Sequence, residues 1–168
     1  MNDTDIAHDH LNKAEGYLIL GMYEEALGEA TEALALDAAS YAGHYLKGVA
    51  LISLQRYDEA EGPLREAIGL EPERPEAFVH LAYVHRRTVS LDKAVETISK
   101  AVELKPDMPL ANYNLACYYA LKGDDEEALR YLGRAINIAP DFREAARADE
   151  DFASLHANDR FRRLVELE

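Results

Sequence analysis

At 168 residues, with 48% apolar side chains and no tryptophan, the chain is long enough for one cooperative core or one short solenoid and too apolar to stay disordered. A net charge of −14 argues against nucleic acid or an anionic membrane surface as a partner. The longest apolar run, Tyr17–Leu20, is far short of a membrane span, and the polar start MNDTDIAHDH lacks the basic and apolar regions of a signal peptide, so a cytoplasmic protein is expected. Cys117 stands alone, which excludes an intrachain disulfide.

The chain repeats itself every 34 residues. Ala128 maps onto Ala94, Ala60 and Ala26, Ala135 onto Ala101, Ala67 and Ala33, and Ile138 onto Leu104, Leu70 and Leu36. After a lead of residues 1–6, this divides the chain into units 7–40, 41–74, 75–108 and 109–142, with a tail of 143–168. Charge is uneven along it: residues 7–40 hold one lysine against seven acids, whereas 75–108 hold five bases and five acids. Each unit reads as two antiparallel helices. First helices are expected near 8–20, 41–54, 75–88 and 109–122, and second helices near 24–36, 58–70, 92–104 and 125–138. In the second helices, Ala26-Leu27, Ala30 and Ala33-Leu34 form one apolar stripe, which Ala94-Val95, Ile98, Ala101-Val102 and Ala128-Leu129, Leu132, Ala135-Ile136 repeat. The alanines admit a close neighbouring helix, where a larger group would overpack.

Punctuation follows the same period. Pro72, Pro106 and Pro140 stop the second helices, and Gly21 and Gly123 suit a left-handed residue where the first helix reverses. Asp58, Asp92 and either Asp124 or Asp125 are placed to cap the helices that follow. Gly62-Pro63 falls early in the second helix of unit two, where a slight kink is expected rather than a break.

With these residues in view, the chain resembles the tetratricopeptide repeat (TPR) family over all four units. The period, the small Ala14, Gly48, Ala82 and Ala116, the alanine rows and the closing prolines all fit its pattern. His10, His44, Phe78 and Asn112 replace the family's early tryptophan, and Lys13 and Lys47 replace a usual leucine. The tail, with Asp149-x-Asp151-Phe152 and Asp159-Arg160-Phe161, is similar to the segment closing many bacterial arrays. The resemblance implies an all-α, right-handed α-solenoid of four TPR hairpins plus C-terminal capping helices. A solenoid end needs such a cap in any case, and Phe142, Phe152, Leu155, Phe161, Leu164 and Val165 can supply it while Arg143, Arg147, Arg162 and Arg163 face water.

The resemblance also implies a concave groove, lined by the first helices, that binds a peptide or protein segment. Its rows would run Leu11, Tyr45, Val79, Tyr113; Glu15, Val49, Tyr83, Cys117; Leu18, Ile52, Arg86, Ala120; and Ile19, Ser53, Arg87, Leu121. Aromatic groups and arginine are common interface anchors, so the expected partner has apolar anchors and a carboxylate near Arg86 and Arg87. Tyrosines at helical spacing pack between helices as readily as they bind ligands. Asn114 would suit the family's clamp for a terminal carboxylate, but Leu11, Ala42 and Tyr45 stand where its polar groups belong. An inner wall filled by the chain's own tail would exclude such a partner.

No phosphate-binding glycine loop, nucleophile elbow or paired-cysteine motif is present, so neither enzymatic activity, cofactor nor metal is expected. His8-Asp9-His10 reads as solvated or packed histidines, with too few ligands for a structural metal. Cys117 reads as a small buried hydrophobe. The competing reading is a structural protein that self-assembles into a homo-oligomer.

Overall fold

A computed structural model describes residues 2–166. Eight helices pair into four hairpins: α1 (Asp3–Ile19) with α2 (Tyr23–Leu36), α3 (Tyr41–Ser53) with α4 (Tyr57–Leu70), α5 (Pro75–Thr88) with α6 (Leu91–Leu104), and α7 (Pro109–Lys122) with α8 (Asp125–Ile138). The tail follows as α9 (Phe142–Ala148), a 3-10 segment (Glu150–Leu155) and α10 (Asp159–Glu166). Helix α1 begins five residues before its expected start. Asn2 accepts from the Asp5 amide while the Asp5 carboxylate accepts from the Asn2 amide, a reciprocal cap that winds the lead into the helix.

The repeat period is visible in the backbone. Each first helix closes with an amide bonded five residues back: Met22 to Tyr17, Arg56 to Leu51, Ser90 to His85 and Asp124 to Tyr119. Gly21 and Gly123 take φ of 73° and 77° at this turn, as the sequence predicts, and Gln55 is driven to 60° at the equivalent position. Capping differs in part. Asp124 does accept from the Glu127 amide, but Ser90 rather than Asp92 caps α6, and Arg56, which has no side-chain cap bond, precedes α4. Asp58 and Asp92 lie instead in the first turns, where the helix dipole favours acids. Helix α4 runs unbroken through Pro63.

Small side chains set the helix spacing. Ala14, Ala26, Ala33, Ala60, Ala67, Ala82, Ala94, Ala101, Ala116, Ala128 and Ala135 are all buried. Gly48 is tighter still: a Cβ there would lie 2.6 Å from Leu64. First helices also touch across units, α1 with α3, α3 with α5 and α5 with α7, and so form the inner wall. The tail covers the open end through buried Phe152, Leu155, Phe161 and Val165, with Phe142 and Leu164 half-covered. Arg147, Arg162 and Arg163 face water as expected, whereas Arg143 is partly buried.

Candidate functional site: the inner wall

The predicted rows lie on α1, α3, α5 and α7, but they do not form one open groove. The 3-10 segment of the tail lies against α7 at the C-terminal end of the wall. There Tyr113 donates its hydroxyl to the Asp149 carboxylate at 2.9 Å, and its ring packs on Phe142 and Phe152. The Cys117 thiol meets the same oxygen at 3.8 Å. Arg86 donates two hydrogen bonds to Asp151, at 2.5 and 2.7 Å. Tyr113, Cys117 and Val79 are buried, and Asn114 is partly buried.

This end is electrostatically complete. Asp149 also accepts from the Asp151 amide at 3.0 Å, and both Asp151 oxygens accept from Arg86. Burial pushes the Cys117 thiol far up, with Asp149 and Asp151 adding to the effect, so the protonated thiol is the stable form. Burial likewise raises the Tyr113 phenol. Cys117, Asp149 and Asp151 bring three potential metal-ligand atoms within 4.8 Å of one another. The carboxylates already satisfy Arg86 and Tyr113, and a thiol held protonated is a poor metal ligand. His10 and His44 do not stack as a pair; His10 Nδ1 lies 2.6 Å from Glu29 and His44 Nε2 3.0 Å from the Ala38 carbonyl.

Toward the N-terminus the wall is uncovered. Leu11, Leu18, Val49 and Ile52 are half-exposed and Glu15 is exposed; at the other end, on α7, Leu121 is exposed as well. Tyr45 serves packing: its ring stacks on Tyr41 at 5.8 Å and its hydroxyl is hydrogen-bonded to His80 Nε2 at 3.1 Å. Burial lowers the His80 pKa to about 4, which keeps the imidazole neutral and able to accept. Arg87 differs from its neighbour Arg86. Its side chain is exposed, donates to the Tyr83 hydroxyl at 2.9 Å, and lies over the rings of Tyr83 and Tyr57. No carboxylate pairs with it among the described residues. Sequence reasoning did not find Tyr57, because it lies outside the first-helix rows, nor the inward turn of Asp149 and Asp151, which local periodicity does not encode.

Profiles of the tetratricopeptide repeat family match residues 11–75, 45–109 and 109–142, so the chain belongs to that family. Comparison with curated proteins gives no match. Among solved structures, MamA is similar at 24% identity and a TM-score of 0.72, over 82% of this chain and 81% of that one. YrrB, described as a TPR protein with an unusual peptide-binding site, is 22% identical with a TM-score of 0.68, over 94% and 81%. The first TPR of Spaghetti (RPAP3), solved with the HSP90 peptide SRMEEVD, is 19% identical with a TM-score of 0.68, over 71% and 95%. These likenesses agree with the solenoid fold. No helix among the described residues is long and apolar enough to cross a membrane.

Proposed function

We propose that the chain is a non-catalytic interaction module that holds a segment of another protein across the N-terminal and central inner wall, from Leu11 and Glu15 to Tyr83 and Arg87. The observation that carries this reading is the contrast between two adjacent arginines. Arg86 is bound to the chain's own Asp151, whereas Arg87 is exposed, framed by two tyrosine rings and has no acidic partner among the described residues. Val49 and Ile52 then supply apolar contact while Arg87 takes a carboxylate. The partner's acid is thus assigned to Arg87, not to the pair that the sequence suggests. Neighbours of the same fold, one described with a peptide-binding site and one solved with a bound peptide, support a protein partner.

Peptides selected on the full chain from a displayed library test this. Arg87→Glu is expected to weaken the selected peptides at least tenfold, and Ile52→Asp to do the same. Unchanged affinity in both variants would remove the inner wall from the function.

A second reading, self-association, rests on the α1–α2 turn, where Ile19 and Leu20 are 86% and 71% exposed beside Met22 and Tyr23. Sedimentation over a hundredfold concentration range separates the two. A strict monomer leaves only the first.

A further inference from the structure

Ile19 and Leu20, at the α1–α2 turn, are the most exposed large apolar side chains among the described residues, and Met22 and Tyr23 extend the patch. Units two to four put Arg56, Ser90 and Asp124 at the Met22 position, so the apolar turn is a departure confined to unit one. Local departures from a consistent pattern mark functional sites. Acids frame the patch. Glu24 and Glu25 follow it in the first turn of α2, and both are exposed. Arg56 approaches Glu24 only to 3.8 Å, and no base pairs with Glu25 among the described residues.

The complement lies at the other end of the array. Between α8 and α10, Leu129 and Leu164 line a depression of about 280 Å³ together with Arg160 and Arg163. Arg160 is already held by Glu126. Arg163 is exposed, reaches only the Asp159 carbonyl at 3.3 Å, and pairs with no carboxylate among the described residues. An apolar patch beside acids is thus matched by an apolar depression beside an unpaired guanidinium. One chain does not join its own two ends, because α1 and α2 pack on each other and on α3, whereas α10 packs on α8 and α9. Two copies meeting turn to turn would set Glu24 and Glu25 against their own counterparts, and such like-charge contact opposes association.

We propose that the α1–α2 turn docks into the α8–α10 depression of a second copy of this chain. Ile19 and Leu20 lie against Leu129 and Leu164, and Glu24 or Glu25 meets Arg163. Covering two adjacent solvent-facing aliphatic side chains supplies the driving force, and the charges select the register. The proposal names the mating surfaces for the self-association reading and rests on that reading. It draws on neither Ile52 nor Arg87 of the inner wall. Because the two surfaces differ, copies can dock reciprocally as a pair or follow one another in a running chain.

Sedimentation of the full chain up to millimolar concentration tests this with two surface variants. Ile19→Ser/Leu20→Ser removes the turn's apolar contact, and Arg163→Glu turns the rim of the depression against Glu24 and Glu25. The unaltered chain should gain mass with concentration, and each variant should associate about tenfold more weakly or worse. An equimolar mixture of the two variants should associate about tenfold more tightly than either alone, because one keeps the depression and the other keeps the turn. That recovery also shows that both variants fold. If the unaltered chain self-associates but either variant does so equally well, or the mixture is no tighter than its components, the docking is overturned and self-association stands. A strict monomer throughout overturns both.

Discussion

Arg86 and Asp151 are 65 residues apart in the chain and joined by two hydrogen bonds, with side chains only 23% and 16% exposed. The pair ties the tail to the wall of the third unit, while Phe152 and Leu155 bury beneath it. An arginine matches a carboxylate through two parallel bonds, which fixes position as well as energy. The cap is thus both an apolar plug and an ionic latch. Removing one partner leaves the other charged group half-buried and unmatched. Asp151→Ala is therefore expected to lower unfolding stability by about 1–3 kcal/mol, below the full penalty for a buried pair because some water reaches it. Arg86→Met/Asp151→Ala should cost less than the two single changes summed, as measured by urea unfolding. Additive losses would show that the pair is not coupled.

The turn after α3 carries the one positive φ among the described non-glycine residues, Gln55 at 60°. Glycine holds the matching position in units one and four. An L-residue in this conformation costs roughly 1 kcal/mol. Gln55→Gly should accordingly raise stability by about 0.5–1 kcal/mol, seen as a higher urea midpoint at constant slope. Gly21→Ala should move the midpoint the other way.

The fold was legible because its determinants are local and repeat. Alanine rows and closing prolines recur at 34 residues, Gly21 and Gly123 share one position of the repeat in units one and four, and all act within one or two units. The inner wall was legible only in part, because periodicity places Tyr113, Cys117 and Arg86 on a helix face without showing what else packs there. Their partners, Asp149 and Asp151, lie more than 30 residues away in a non-repeating segment. His85 was hidden for the same reason, since its row position predicts burial but not the bond to Thr97.

Acid should loosen the array through its histidines. Burial lowers the pKa of His80 to about 4 and also lowers that of His85. Both stay neutral in the folded chain, whereas the unfolded chain takes up protons near the ordinary value of about 6.5. The unfolded state thus binds more protons below that value, and stability falls with pH. For His80 the loss should run from about pH 6.5 down to about 4; Tyr45 faces it, and Glu61, Arg65 and Lys93 surround His85. Urea unfolding at pH 7.0 and pH 5.0 should show a lower midpoint at the acid value. His80→Gln should flatten that dependence, and an unchanged slope would remove His80 as its source.

Cys117 offers a direct reading of whether the tail stays seated. Its thiol is buried under Asp149, and burial beside two carboxylates keeps it protonated. A protonated, covered thiol is unreactive, so labelling requires the wall to open. At pH 8 the native chain should react with Ellman's reagent at least a hundredfold more slowly than the urea-unfolded chain. Asp149→Ala weakens the seat by removing the acceptor for Tyr113 and Cys117, and should speed labelling. If labelling tracks global unfolding in both proteins, tail and array open as one cooperative unit. Labelling faster than global unfolding would show the tail lifting by itself, leaving Arg86 and Tyr113 accessible to a partner alongside Arg87.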